Sequence, residues 1–430
     1  MSGMAPRQAA LQVLQSVAKG QPFEQALANA LASLGDADRR LAHELAAGVL
    51  RRRGDLDARL MPLAHQGWGS VAPAVRDVLR LGAYQLVALD RIPAHAAVTT
   101  AVDLARASAG DGAARFVNAV LRNLGGRAAP PALALDPAGH LAALHSHPAW
   151  LVARWLARFG LDATSRLLEW NNTRPTLVLQ PARDDDDAIA ARFAAAGLEA
   201  RRAAFDAGWI SPASRPALVP GYAEGAFFVQ DPAQALVARF AAAAPAHSVY
   251  DACAAPGGKS LALGRTARLV VSGDQGRDRV RRLRENLQRA GSGREHAVVA
   301  SALAPPVADA DLVLLDAPCL GTGTLARHPD ARWRVSEEAL HRIAERQAAL
   351  LHAVADVVRP GGWLVYATCS LEPEENEAQV DAFLAADSRF ARDPSDAVAA
   401  ALRTPAGDLQ LLPQRDGTDG AFAARLRRVA

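Results

Sequence analysis

Lysine is nearly missing from this sequence. Of 48 basic residues, only Lys19 and Lys259 are lysine and the rest are arginine; Lys259, after Gly257 and Gly258 at a helix start, reads as a compact point charge that arginine cannot replace, with a surface residue that escaped a drift toward arginine as the plain alternative. Cysteine is scarce too. Cys253, Cys319 and Cys369 are an odd number with no CxxC pair, which argues against a disulfide framework and against a cysteine-based zinc site; no metal is expected. No apolar run approaches the ~18 residues that cross a bilayer. The opening MSGMAPRQAALQVLQ lacks the basic-then-apolar order of a signal peptide. The expectation is a cytoplasmic protein with no membrane partner. Hydrophobic residues, by contrast, make up 50% of the 430 residues against 22% charged. That is ample for buried cores, and at about 150 residues per domain it suggests roughly three domains.

Net charge is +3, and its distribution is uneven. Residues 1–140 hold 15 basic against 11 acidic residues, and the remainder 33 against 34. The excess in the N-terminal third hints at a polyanion-binding module, although a solvated arginine-rich surface has the same composition.

The first ~125 residues read as helices. Leu41, Leu45 and Val49 recur after Asp38, a good N-cap; Val75, Val78, Leu79 and Leu86 repeat the pattern, as do Phe116, Val117, Val120, Leu121 and Leu124. Pro93 suits the first turn of a further helix running to about Ala107. Gly35, Gly54 and Gly110 separate these segments, and a helix bundle over 1–126 is the economical reading. The Pro- and Ala-rich stretch RAAPPALALDPAGH marks a linker over 127–148. Helices at Ala149–Phe159 and Thr164–Asn171, the strand TLVLQ and a helix at Asp185–Ala196 make a small α+β region over 149–226. From residue 227 to 430 strand-like and helical runs alternate. SVYDACA, RLVVSGD, HAVVAS, DLVLLDAP and GWLVYATC are the strands, which predicts a parallel, doubly wound sheet with ligands at its carboxyl ends.

DACAAPGGKS, Asp251 to Ser260, follows the first of these strands and opens a helix. Gly257 and Gly258 let the backbone turn tightly beside a ligand. Asp274 ends the next strand 23 residues after Asp251, near the ~20-residue spacing at which a carboxylate meets ribose hydroxyls. The loop is neither GxGxxG nor Walker A, since the latter requires glycine at Cys253. A nucleoside cofactor without phosphate, S-adenosylmethionine, is the natural occupant.

The fourth strand ends in DAPCLGTG and the fifth in ATCS, so Asp316, Cys319 and Cys369 converge beside that cofactor. Free cysteine is ordinarily a small buried hydrophobe. Two of only three at adjacent strand ends instead suit addition chemistry on a pyrimidine, where a thiolate at carbon 6 makes carbon 5 nucleophilic and a second group aids proton removal or release. Cys253 reads as packing or a backbone contact. Glu374 and Glu375 read as favourable charge at a helix N-terminus.

DACAAPGGKS, DAPCLGTG and YATCSLEPEEN resemble the RNA 5-methylcytosine methyltransferases of the Sun/Fmu group, with FFVQDPAQALV similar to that group's entry segment. RIPAHAAVTTAVDLA and RFVNAVLRNL are similar to the antitermination factor NusB. Together they point, within the group, to the branch acting on small-subunit ribosomal RNA. The resemblance implies a multidomain fold: an all-α NusB-like bundle, a small α+β region and an α/β Rossmann-like methyltransferase domain. It implies methyl transfer from S-adenosylmethionine to a cytidine of 16S rRNA, cytidine 967 in the family, by a monomer acting on the rRNA or on a small-subunit assembly intermediate. Cys253, Ala254, Ala255, Pro256, Gly257, Gly258 and Lys259 would contact the cofactor, Asp274 its ribose, and Asp316 would lie beside methyl donor and base. Cys369 would be the nucleophile and Cys319 would assist release. The family's usual acidic residue near the adenine is replaced by Ser301. A different class of reading is a noncatalytic RNA-binding or assembly factor with a vestigial cofactor fold; intact Asp316, Cys319 and Cys369 argue against it.

Overall fold

Apolar residues three and four apart in the first third fold into α1 (Met4–Ala18), α2 (Phe23–Ala30), α3 (Asp36–Arg51), α4 (Arg53–Leu60), α5 (Pro73–Ala88) and α6 (Ala94–Leu124). The computed structural model describes residues 3–125, 136–213, 215–242 and 246–429. These fall into two units, Met1–Thr173 with Leu325–Arg334, and Arg174–Thr324 with Val335–Ala430.

In the first unit, α3 buries Ala42, Leu45, Ala46 and Val49 along one stripe, with Asp36 and Asp38 in its first turn and Arg51 in its last, charges that complement the helix dipole. Gly35, not Asp38, takes the N-cap position: the helix starts two residues before the first good side-chain cap. Leu45, Val49, Val78, Leu79, Leu104, Val117 and Leu121 share one core, each burial stabilising by about 1.5–3 kcal/mol. The backbone of α6 leaves helical geometry at Gly110, and that of α8 (Ala149–Asn171) at Gly160, the breaks between the paired helical patterns of the sequence. Between them, α7 (Pro137–His145) is capped by the Asp136 carboxylate, which accepts from Gly139 N–H at 2.6 Å. This helix occupies part of the stretch that composition marks as linker; residues 127–135 lie outside the described residues.

The segment Leu325–Arg334 completes this unit from far along the chain. Arg332, fully buried, donates to Asn172 Oδ1 and to the Asn171 carbonyl at 2.7 Å each, and at 3.3 Å to the carbonyls of Arg51, Ser146 and Leu325. None of these acceptors is a carboxylate, and burial pulls the guanidinium down to about 9. Trp333 Nε1 donates to the Leu50 carbonyl at 2.8 Å, and Asp330 accepts from Phe23 N–H at 3.3 Å.

The second unit carries two sheets. A small antiparallel one, in the order β2-β1-β3, joins β1 (Val178–Pro181), β2 (Trp209–Ile210) and β3 (Phe227–Val229). Leu179, Trp209 and Phe227 pack there on Ile189 and Phe193 of α9 (Asp186–Ala195). The large sheet is built from α10 (Pro232–Ala241), β4 (Ser248–Asp251), α11 (Gly258–Leu263), β5 (Leu269–Asp274), α12 (Arg277–Ala290), β6 (Glu295–Val299), β7 (Ala310–Asp316), α13 (Glu337–Ala355), β8 (Val358–Thr368), α14 (Glu377–Ala386), β9 (Phe390–Arg392), β10 (Leu409–Leu411) and β11 (Ala421–Arg428). Strand order is β10-β11-β8-β7-β4-β5-β6, with β9 also on β11. Alternate strand residues serve two cores: Val249, Leu312, Leu314 and Val365 meet Leu236 and Phe240 of α10, while Tyr250, Val313, Leu315 and Leu364 meet Leu350, Leu351 and Val354 of α13. The sheet is mixed rather than wholly parallel. The strand runs from β8 back to β6 are parallel, but β11 lies antiparallel to β8, β9 and β10. Antiparallel edge strands on parallel sheets are common, and AFAARLRR carries too much charge at its end to read as a buried parallel strand. The order reverses between β4 and β7, which opens a crevice at their carboxyl ends.

Candidate active site

Asp251 ends β4 at that crevice and is fully buried. Its Oδ2 accepts from Ser260 Oγ at 2.7 Å, and Ser272 Oγ donates to Ser260 Oγ at 2.9 Å. Its Oδ1 has no hydrogen-bond partner among the described residues. Burial pushes this carboxyl up to about 7. A buried oxygen left open at the carboxyl end of a strand suits a cationic or hydroxylic ligand donor. The backbone after it turns at Gly257, whose φ is +110° and where a Cβ would come within 2.7 Å of Leu283 Cδ1, so glycine alone fits. Ala254 N–H donates to the Gly273 carbonyl at 2.9 Å, and Asn286 holds the Pro256 carbonyl at 2.9 Å. Ala255 and Gly258 complete the loop, which thus leans on the end of β5.

Asp274, at the end of β5 and buried, accepts from Gly276 N–H at 2.9 Å and pairs with Arg279 at 2.8 Å. Ser301 follows the next strand, β6. Its hydroxyl accepts from Leu303 N–H at 3.2 Å, and the neighbouring Ala300 N–H meets the Asp274 carbonyl at 3.1 Å. Cys253 packs on the core beneath Tyr250, and burial raises its thiol to about 12, which keeps it protonated and inert at neutral pH.

Lys259 does not project as a free charge at the helix start. It is buried, and its Nζ donates to Gln234 Oε1 and to Asp316 Oδ2, the latter at 2.7 Å. The entry segment sets this up: Asp231 caps α10 by accepting from Ala233 N–H at 2.8 Å, which aligns Gln234 one turn in. One of the chain's two lysines therefore bridges the cofactor loop and the DAPC loop.

The two other cysteines meet. Parallel pairing of β7 with β8 sets Asp316 opposite Ala367, so both loops leave the sheet at one level, and Cys319 Sγ lies 3.3 Å from Cys369 Sγ. Gly323 N–H donates to the Cys369 carbonyl at 3.0 Å, and Gly420 N–H to the Gly323 carbonyl at 2.8 Å. A Cβ on Gly323 would meet that Cys369 carbonyl at 2.8 Å, so the loops touch backbone to backbone. The adjacent sulfur, burial and the charge of Glu375 all push the Cys319 thiol well up. Glu375 itself is no helix-dipole charge, since α14 begins at Glu377 and Glu375 is wholly buried beneath the loops. Motif reading passes over Gln347, and it places Asp251 and Glu375 in their motifs without giving either a role in the site; LEPEENE and AERQ around Glu375 and Gln347 are themselves polar, so no local signal marks those two.

Known families match the chain in three places: the NusB family over residues 4–125, a ferredoxin-like domain of RsmF/B-like methyltransferases over residues 147–208, and the 16S rRNA methyltransferase RsmB/F family over residues 240–427. A probable ribosomal RNA small subunit methyltransferase B of Synechocystis sp. is 34% identical over 412 residues, 92% of each chain. The ribosomal RNA small subunit methyltransferase B of Pseudomonas syringae pv. tomato is 35% identical over 446 residues, 99% of this chain and 98% of its own. This chain belongs to the ribosomal RNA small subunit methyltransferase B family. Membership makes it an rRNA methyltransferase with a NusB-like helical domain and a Rossmann-like catalytic fold. Among solved structures, PH0851 has a TM-score of 0.82 at 22% identity, covering 99% of both chains. NSun6 from Pyrococcus horikoshii with SFG has a TM-score of 0.56 at 18% identity over 65% of this chain and 97% of its own. At these identities, what this chain shares with them is the fold.

Proposed function

We propose that this methyltransferase acts on carbon 5 of a cytidine in 16S rRNA, cytidine 967 being the family's target, through a covalent bond from Cys369 to carbon 6. The observation that carries the reading is the pair of sulfurs 3.3 Å apart, next to the Lys259–Asp316 ion pair.

S-adenosylmethionine supplies the methyl group as an electrophile. The loop from Cys253 to Lys259 would hold it, with Asp274 on the ribose, Ser301 near the adenine and the open Asp251 Oδ1 accepting from its polar end. Addition of the Cys369 thiolate forms the S–C6 bond and pushes the ring's electron pair to carbon 5, which takes the methyl. Loss of the carbon 5 proton to a base then lets the C5–H electron pair re-form the C5–C6 double bond, while the S–C6 pair leaves with the Cys369 sulfur. Cys319, held protonated by the adjacent Cys369 sulfur, by burial and by Glu375, is the poorer nucleophile, and it stands within hydrogen-bond reach of the departing Cys369 sulfur. Asp316, fixed by Lys259 at 2.7 Å, would stand beside the ring and the methyl donor.

Residues 1–126 act in this reading as the RNA-binding domain, 127–148 as linker, 149–226 as a small α+β region and 227–430 as the catalytic domain, in a protein that works as a monomer on 16S rRNA or an assembly intermediate. The test is product analysis: 16S rRNA transcript methylated by the purified protein, digested and read by mass spectrometry. One 5-methylcytidine, absent from rRNA of cells lacking the protein, supports the reading. A methyl on a base nitrogen or ribose overturns it.

A further inference from the structure

Glu375 is one carboxylate with a hand on both cysteine loops. Its Oε1 accepts from Leu320 N–H at 2.9 Å, the residue after Cys319, and from Gln347 Nε2 at 3.0 Å. Its Oε2 accepts from Ser370 Oγ, the residue after Cys369. Gln347 also donates to the Pro318 carbonyl at 2.9 Å, from the residue before Cys319. Ser370 Oγ lies 3.2 Å from Thr322 Oγ1, which accepts from Leu371 N–H at 2.8 Å. Tyr366 fixes the clamp from below by donating to the Glu375 carbonyl at 2.7 Å. Glu375, Gln347 and Ser370 are all essentially without solvent exposure.

A buried carboxylate is costly unless its lone pairs are filled. Here three donors fill them, and two belong to the loops that carry the sulfurs. We propose that Glu375 is a positioning residue for methyl transfer, tying the backbone of the Cys319 loop to the side chain beside Cys369 and so setting the spacing and attitude of the two thiols. Among the described residues the hydrogen bonds of its carboxylate and carbonyl go to Leu320, Gln347, Ser370 and Tyr366 and none to the cofactor loop, so its part in the reaction is positioning rather than binding. This inference rests on the two-cysteine mechanism proposed above.

The test uses the full-length protein with S-adenosylmethionine and 16S rRNA transcript. Since a misplacement of 1 Å costs roughly 10²-fold, Glu375→Ala should lower kcat by about thirtyfold or more, with the KM for RNA and the calorimetric Kd for the cofactor within about twofold of wild type. Glu375→Gln keeps the shape and one acceptor and should fall between. Removing the negative charge should also move the pH profile of Cys319 alkylation, read peptide by peptide in the mass spectrometer, to lower pH; a purely structural role does not move it in a folded protein. A kcat within about threefold of wild type for Glu375→Ala, a loss that appears in KM or Kd, or an unshifted alkylation profile for Glu375→Gln overturns the proposal. If Glu375→Ala does not fold, Ser370→Ala takes its place: it cuts the tie to the Cys369 loop, and an unchanged kcat overturns the proposal. The two readings fail separately. Wild type that methylates somewhere other than carbon 5 removes the cysteine mechanism, whereas 5-methylcytidine made at full rate by the variants removes the role of Glu375 alone.

Discussion

Cys319 and Cys369 touch sulfur to sulfur at 3.3 Å although fifty residues separate them in the chain. Two thiols this close cannot both ionise at moderate pH, because the second thiolate would form against the charge of the first. The surroundings distinguish them: the adjacent Cys369 sulfur, burial and Glu375 all hold the proton on Cys319, and in the mechanism proposed above the attack falls to Cys369.

That asymmetry fixes the outcome of exchanging them. Cys369→Ala should form no bond to RNA and lose methylation by several orders of magnitude. Cys319→Ala should attack and then stall, giving a protein–RNA adduct that survives denaturing electrophoresis. Wild type given 5-fluorocytidine RNA should be trapped likewise, since fluorine replaces the proton that must leave. An adduct from Cys369→Ala and none from Cys319→Ala would reverse the assignment.

Lys259 offers a sharp test of why one lysine persists among arginines. Lys259→Met leaves Asp316 without its cation; with the lysine buried and Asp316 about a third exposed, stability should drop by about 2 kcal/mol, below the 3–5 of a fully buried pair. Initial rates of methyl transfer should fall about 100-fold. Lys259→Arg should not restore them, because a planar fork does not fit the position of a point charge between Gln234 and Asp316. Full activity in Lys259→Arg would contradict this.

Asp251 links pH to both folding and cofactor. Its carboxyl titrates near 7 in the folded protein against 3.8 ordinarily. Between those values the native state holds the extra proton, so the contribution of Asp251 to stability falls as pH rises from about 4 to 7, by on the order of 3–4 kcal/mol. Asp251→Asn should remove that slope, making the variant more stable than wild type at pH 7.5 in urea titrations and equal to it near pH 4. The same change should weaken S-adenosylmethionine binding about tenfold, a charge-assisted hydrogen bond being lost. A variant that binds the cofactor as tightly as wild type would take Asp251 out of the site.

Arg332→Met should destabilise the helical unit by about 2–4 kcal/mol, because five acceptors, three of them in fully buried hydrogen bonds, lose their donor at once. The expected signature is a lower urea midpoint with an unchanged slope, followed by tryptophan fluorescence. Arg332→Lys should recover little, since three donors on one atom cannot reach carbonyls arranged around a guanidinium fork. An unchanged midpoint for Arg332→Met would show that the clasp carries no net stability.

What the sequence disclosed, it disclosed through local grammar. DACAAPGGKS, DAPCLGTG and ATCS each sit at a strand end because a run of buried β residues stops at a turn, and both the run and the turn are contiguous. Helix breaks at Gly110 and Gly160 were legible for the same reason. The residues that escaped act over distance. Glu375 reads as a helix-start charge until Leu320 and Gln347, 55 and 28 residues away, are brought onto it. Arg332 reads as one more surface arginine until acceptors more than 150 residues upstream enclose it. The antiparallel β11 escaped because its charged end hides a strand buried on its first six residues.

The ten residues from Leu325 to Arg334 also impose an order of events during synthesis. The helical unit lacks its full set of hydrogen bonds until Arg332 and Trp333 exist, some 160 residues after α8 has been made. At roughly 5–20 residues per second, the nascent bundle waits on the order of ten to thirty seconds with the carbonyls of Leu50, Arg51, Ser146 and Asn171 lacking these donors. A gene fragment ending after α8 therefore encodes α1 to α8 and still leaves out the segment that supplies these donors.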